Sequence, residues 1–258
     1  MALMHINCFS SVLGMCVNFD AIIPETTRGQ IGMEGVAESS YKTLYLLHGM
    51  SDDQTIWQRR TSIERYVADK NLAVIMPTTH LAWYTNTTFG YKYFDYVAYE
   101  LPEICRSFFR GMSDKREDNF VAGLSMGGYG AWKVGLTASD KFAAAASLSG
   151  ALDVTTIHTR IQGRDPLFTG IFGAPETIPG SENDLHHLAK TLKESGKPLP
   201  KLFQWCGTED YLYDMNVAMR DKVQALGYDL TYTESEGNHN WLCWDREIQN
   251  VLNWLPME

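Results

Sequence analysis

The chain has 258 residues, 45% of them hydrophobic, with 22 Lys and Arg against 31 Asp and Glu and a formal net charge of -9. That length can bury one sizeable core, and the acidic balance argues against nucleic acid or an anionic membrane as the main partner. The five cysteines form an odd set without a C-x-x-C pair, which points to free thiols rather than to disulfides or a zinc site.

The N-terminal residues carry no Lys or Arg before Arg28, so the positive start of a secretory signal is missing, and no apolar run approaches the roughly 18 residues needed to span a bilayer. A cytoplasmic location is the expectation. Met4, Ile6 and Cys8 alternate with polar neighbours, and so do Met15, Val17, Phe19, Ala21 and Ile23. With a turn near Ser10 to Gly14 between them, this period of two predicts an opening β-hairpin. Pro24 to Ser40 is rich in Gly, Glu, Thr and Ser and reads as a solvated loop.

Short apolar runs follow at Thr43 to Leu47, Leu72 to Met76, Phe120 to Ala122, Ala143 to Leu148, Leu202 to Cys206 and Leu230 to Thr233, as expected of strands covered on both faces. Between them, Ile56 to Lys70, Tyr91 to Phe109, Met126 to Thr137, Met215 to Leu226 and Trp241 to Trp254 carry apolar residues at helical spacing. Pro102 should kink the second of these helices. The stripe Tyr91, Phe94, Val97 and Leu101 reads as helix packing. The alternation predicts an α/β fold: a single domain over residues 1–258 with a mostly parallel central sheet flanked by helices. Residues 153–196 break the rhythm with Pro166, Gly170, Gly173, Pro175, Pro179 and Gly180, and are expected to form a small cap-like insertion over the C-terminal edge of the sheet.

The stretch "AGLSMGGYG" places Ser125 in a Gly-x-Ser-x-Gly pattern between a short strand and a helix. A chain of this composition yields the pentapeptide by chance about one time in ten, so its context has to carry the argument. A serine on a sharp strand-to-helix turn lies at the ligand-binding edge of an α/β sheet, next to the positive end of the helix. A hydroxyl needs a base, and the base an orienting acid, in the chain order Ser, Asp or Glu, His. His5, His48 and His80 precede Ser125, and His158, His186 and His187 fall in the expected insertion, which leaves His239 in "EGNHNW" as the base. Asp210, just after the strand Leu202 to Cys206, is the preferred acid, with its neighbour Glu209 and the earlier Asp153 as rivals.

Two N–H donors for a tetrahedral oxyanion should come from Met126, after the serine, and from Met50, which follows "LLHG" at a strand end. His48 at that strand end reads as structural. Trp83 and Tyr84, after the fourth strand, and Trp241, just past His239, either line a substrate pocket or belong to the core.

Taken together, "LYLLHGM", "MPTTHLAWYTNT", "LPEICRSFF", "AGLSMGGYG", "WCGTEDYLY" and "GNHNW" resemble the esterase D and tributyrin esterase family of α/β-hydrolases over nearly the whole chain. That family also includes S-formylglutathione hydrolases and feruloyl-type esterases. The resemblance implies a triad of Ser125, Asp210 and His239, an oxyanion hole at Met50 and Met126, a small-molecule carboxylester or thioester substrate, no cofactor and no metal, and homo-oligomers. It is nearest the branch acting on short acyl chains. Met50-Ser51-Asp52 departs from the S-formylglutathione branch, which has a cysteine near this loop. An acyltransferase or a thioesterase would use the same triad, since fold and triad do not choose the group that accepts the acyl.

Overall fold

A computed structural model describes residues 1–32, 35, 37–161 and 163–257. Its strands are β1 (Ala2–Ser10), β2 (Met15–Ile23), β3 (Lys42–Leu47), β4 (Leu72–Pro77), β5 (Asn119–Leu124), β6 (Ala144–Leu148), β7 (Lys201–Gly207) and β8 (Leu230–Ser235). The helices are α1 (Ile56–Arg60), α2 (Ile63–Tyr66), α3 (Tyr93–Asp95), α4 (Leu101–Phe108), α5 (Met126–Thr137), α6 (Ile157–Arg160), α7 (Asp165–Phe172), α8 (Leu185–Ser195), α9 (Tyr213–Ala225) and α10 (Trp241–Trp254). The strands form one eight-stranded sheet in the order β1-β2-β4-β3-β5-β6-β7-β8. Only β1 with β2 and β2 with β4 pair antiparallel.

The parallel strands β3 to β7 are covered on both faces, and the side-chain period of two sorts their residues between two cores, whereas β8, expected to be covered likewise, is an edge strand with no fully buried residue. Tyr45, Leu47, Ile75 and Val121 face one core with α4, α5, α8 and α9. Leu44, Leu46, Val74, Phe120 and Ala122 face the other with α1, α2 and α10. The hairpin divides the same way: Val17, Phe19, Ala21 and Ile23 share the first core, while Ile22 turns into the second. Cys105, Cys206 and Cys243 are buried, Cys8 is half-buried and Cys16 is exposed. Among the described residues, no helix is long and apolar enough to cross a membrane.

The structure departs from the sequence pattern where side chains compete with backbone. The helix expected over Ile56 to Lys70 is two short helices, because Thr61 turns extended (φ -136°, ψ 175°). Its hydroxyl donates to the Trp57 carbonyl at 2.5 Å and accepts from the Ile63 N–H at 3.1 Å, replacing helical bonds. Ahead of Pro102 the helix widens into a π-helical segment at Tyr96–Glu100, as fits a ring that offers no N–H and crowds the carbonyl four residues back. The Glu100 carboxylate reaches the hairpin turn and accepts from Ser10, Ser11 and Val12. The expected loop Pro24 to Ser40 has neither helix nor strand in its described part, and Met33, Glu34 and Val36 lie outside the described residues.

Within 153–196, where Gln162 also lies outside the described residues, Pro166 and Pro175 open helical turns instead of breaking them. Helix α8 packs on α5 and α9 as the crossover from β6 to β7, so it belongs to the sheet's own cover rather than to an excursion from it. One buried cation ties these parts together. Lys133, on the wholly buried face of α5, donates to Thr85 Oγ1 and to Asn183 Oδ1 (2.6 Å) and sits 5.2 Å from the centre of the Phe94 ring.

Burial lowers the Lys133 pKa to about 7, against the upward pull of Glu182 and Asp95. Between about pH 7 and the unfolded value of about 10.4, the unfolded chain holds more protons at this site, so its stability contribution rises with pH and is lost as pH falls. Urea midpoints of wild type and Lys133→Met, compared at pH 7 and pH 9, should therefore diverge, with wild type gaining on the variant at the higher pH. Parallel pH curves would refute the assignment.

Candidate active site

Ser125 is the single residue between β5 and α5, at φ 52° and ψ -117°. A side chain rarely adopts that backbone conformation, and the surroundings hold it there. The Ser125 N–H donates to the Leu148 carbonyl at 2.9 Å, and its own carbonyl accepts from Tyr129 at 3.1 Å and Ala151 at 3.2 Å. The two flanking glycines make the turn geometrically accessible. A Cβ on Gly123 would lie 2.3 Å from the Gly127 oxygen, and one on Gly127 would lie 2.5 Å from the Leu47 oxygen and 2.6 Å from that of His48. The first turn of α5 is thus pressed against the end of β3, which brings the Gly49-Met50 segment to the serine's side of the sheet.

The partners arrive from the ends of two further strands. After β7, Asp210 is 4% exposed, and its Oδ1 accepts the Leu212 N–H at 2.9 Å. After β8, His239 directly precedes Asn240, whose side chain caps α10 by accepting the Cys243 N–H at 3.0 Å. The two loops are joined by backbone bonds from Thr208 to Ser235 and from Glu209 to Gly237, both 3.0 Å. His239 Nδ1 lies 2.8 Å from Asp210 Oδ2, and His239 Nε2 lies 2.9 Å from Ser125 Oγ. The ionised carboxylate accepts from Nδ1–H, which leaves Nε2 as the acceptor of the serine hydroxyl proton. The imidazole is then placed to take that proton.

The rivals sit elsewhere. Asp153 Oδ1 is engaged by the Thr155 N–H at 3.0 Å and by the Thr155 hydroxyl, and Glu209 is exposed. Met126 is the first residue of α5, so its N–H has no carbonyl four residues back to bond and stands at the positive end of the helix. Met50 is half-buried, with its sulfur 3.8 Å from Nη1 of the exposed Arg164. Trp83 is 2% exposed and packs edge-on against Tyr129, Phe168 and Phe172, which joins the loop after β4 to α5 and α7. Trp241 packs edge-on against Trp57 and Trp244, on the second core.

Two neighbours of His239 went unnoticed in the sequence. Tyr211 and Trp244 flank the His239 ring, with centroids at 4.8 and 4.9 Å, and Trp244 Nε1 donates to Ser149 Oγ at 3.2 Å. His48 is fully buried, and burial lowers its pKa to about 4, so its ring is neutral. Tyr211 adjoins Asp210 in sequence, a signal that could have found it, whereas Trp244 lies on α10 and His239 before it, so no periodic spacing marks Trp244.

Against known proteins, the Esterase family model matches residues 34–255. An acetyl esterase of Caldicellulosiruptor saccharolyticus is 31% identical over 262 residues, covering 99% of this chain and 98% of its own. The solved structure of the fluorophosphonate-binding serine hydrolase F of Staphylococcus aureus, with substrate bound, shares 35% identity at a TM-score of 0.88, covering 98% of each chain. The apoenzyme of an S-formylglutathione hydrolase from the same organism shares 34% at a TM-score of 0.86, again covering 98% of each chain.

The contact of Gly123 with the Gly127 backbone leaves no room for a methyl group. Gly123→Ala is expected to lower unfolding stability by about 1–3 kcal/mol through overpacking, read as the shift in urea midpoint. A midpoint equal to wild type would show that the turn is less tightly closed than the contacts indicate.

Proposed function

This chain belongs to the Esterase family and is a serine carboxylesterase of the α/β-hydrolase fold; we propose that it hydrolyses short-chain acyl esters through an acyl-enzyme on Ser125. The observation that carries the proposal is the continuous line Ser125 Oγ, His239 Nε2, His239 Nδ1, Asp210 Oδ2, with both steps under 3 Å. The similarity to an acetyl esterase along almost the full length of both chains supports a short acyl group.

In this mechanism His239 Nε2 takes the Ser125 proton as Oγ bonds to the ester carbonyl carbon, and Asp210 stabilises the resulting imidazolium. The carbonyl oxygen becomes an oxyanion held by the N–H groups of Met50 and Met126. The carbon–oxygen bond to the alcohol then breaks, and His239 returns the proton to the leaving alkoxide. Water attacks the acyl-enzyme and gives a proton to His239, which restores it to Ser125 as the acid leaves. Trp83 walls the acyl side in this reading, being held beside α5 by the aromatic residues of α7. Trp241 stands further off, against Trp57, and is assigned the lesser part in the pocket.

A second reading, thioester hydrolysis, is favoured by the S-formylglutathione hydrolase that shares 34% identity over almost all of both chains. The proposal extends to a cytoplasmic homo-oligomer acting on tributyrin-type esters, as the family resemblance implies, with light scattering as the measure of assembly.

Purified wild type and Ser125→Ala, assayed on p-nitrophenyl acetate, tributyrin, a feruloyl ester and S-formylglutathione, separate these readings. The variant should lose about 10³- to 10⁶-fold in kcat while remaining folded. Equal rates for both proteins would sink the role of Ser125. A kcat/KM for S-formylglutathione above those of the oxygen esters would favour the second reading, and dominant acyl transfer to a dilute added alcohol would make the protein a transferase.

A further inference from the structure

His48 lies at the end of β3, one residue before the segment proposed to supply an oxyanion donor, and the mechanism above gives its ring no part. Its two ring nitrogens are nonetheless both engaged. Nε2 lies 3.1 Å from the Thr79 N–H, which can only donate, so Nε2 is the acceptor. The ring proton of the neutral imidazole is therefore on Nδ1, and it is donated to the Gly49 carbonyl at 2.7 Å. A neutral ring has one donor and one acceptor, and here each meets its complement. Burial holds the ring in that neutral form.

The neighbouring groups hold the same peptide. The Gly49 carbonyl also accepts the Asp52 N–H at 3.3 Å, and the His48 carbonyl accepts the Tyr84 hydroxyl at 2.8 Å. A Cβ on Gly49 would lie 2.6 Å from Leu124 Cδ1 and 3.2 Å from Asp52 Oδ2, so the glycine is packed against the residue before Ser125. Peptide groups are planar, and the described chain has no cis bond, so the C=O and the following N–H of the Gly49-Met50 peptide point in opposite directions. Fixing the carbonyl toward the His48 ring fixes the Met50 N–H away from it.

Resting on the acyl-enzyme reading, we infer that His48 is a positioning residue: by donating Nδ1–H to the Gly49 carbonyl it sets the direction of the Met50 N–H that completes the oxyanion hole. The ring touches neither substrate nor Ser125. Its effect passes through one peptide plane, and it should be felt when the oxyanion forms, not when the ester binds.

Two polar replacements separate the two ring contacts. An asparagine amide falls near the Nδ1 position, so His48→Asn keeps a donor for Gly49. A glutamine amide reaches the Nε2 position, so His48→Gln keeps an acceptor for Thr79 and loses the Gly49 contact. With p-nitrophenyl acetate, His48→Gln should lose about 10- to 100-fold in kcat with KM within about threefold, and His48→Asn should recover most of that loss. A boronic acid that forms a tetrahedral adduct with serine should weaken in parallel with kcat.

Near-wild-type kcat in His48→Gln, equal kcat in the two variants, or a loss confined to KM would each overturn the inference. Thermal unfolding of both variants tests the fold independently. If wild type forms no acyl-enzyme on Ser125, the mechanism itself fails, an outcome read from intact mass without either His48 variant.

Discussion

The structure depends on a backbone-on-backbone contact at the centre of the sheet. The first turn of α5 rests against the end of β3 through Gly127, while Gly123 lets β5 pass beneath it. Nothing larger than hydrogen fits at either place, and the compressed turn between them gives Ser125 its positive φ. Without that approach the serine would lie flush with the sheet edge. The same approach sets α5 against the Leu47 and His48 carbonyls, just ahead of the loop holding Met50. Local strain is sustained because strands on either side, β3 from Thr43 onward and β6, are themselves buried and hydrogen-bonded to β5.

Around this fixed point, three buried polar or ionisable side chains are each held by several partners, although other buried polar atoms, Trp83 Nε1 and Thr79 Oγ1 among them, have none among the described residues. Asp210 has a backbone donor on one oxygen and His239 on the other. Neutral His48 matches one donor and one acceptor, and Lys133 is surrounded by Thr85, Asn183 and the face of Phe94. Lys133 lies about two helical turns along α5 from its N-cap Ser125, so the contacts of Lys133 and Tyr129 with Asn183 and Thr85 act on the helix that follows the serine. Rigidity at the serine thus rests on the packing and electrostatics of α5 as a whole.

Much of this was legible in the sequence. At Met126 to Thr137, a helix buried all round, and at Trp241 to Trp254, an amphipathic one, the helix bounds agree with those read from the sequence. Illegible features came from competition between groups distant in sequence or ambiguous in type. The Thr61 hydroxyl splits one amphipathic stretch into two helices, and prolines in 153–196 look like breakers yet begin turns. For α8, an amphipathic pattern among Gly- and Pro-rich flanks concealed an ordinary crossover helix, which only its packing on α5 and α9 identifies.

The sequence by itself determined the alternation of strands and helices, the serine on its strand-to-helix turn, and the order in which Ser125, Asp210 and His239 follow one another, because these are properties of local pattern and chain direction. Only the tertiary structure decided that Asp210, not Asp153 or Glu209, meets His239, that Trp241 turns to Trp57, and that His48 holds the Gly49 carbonyl. Each of those outcomes is a choice among side chains of similar chemistry. It is settled by which backbone groups and neighbours lie within about 3 Å once the sheet is closed, a distance that spacing along the chain does not encode.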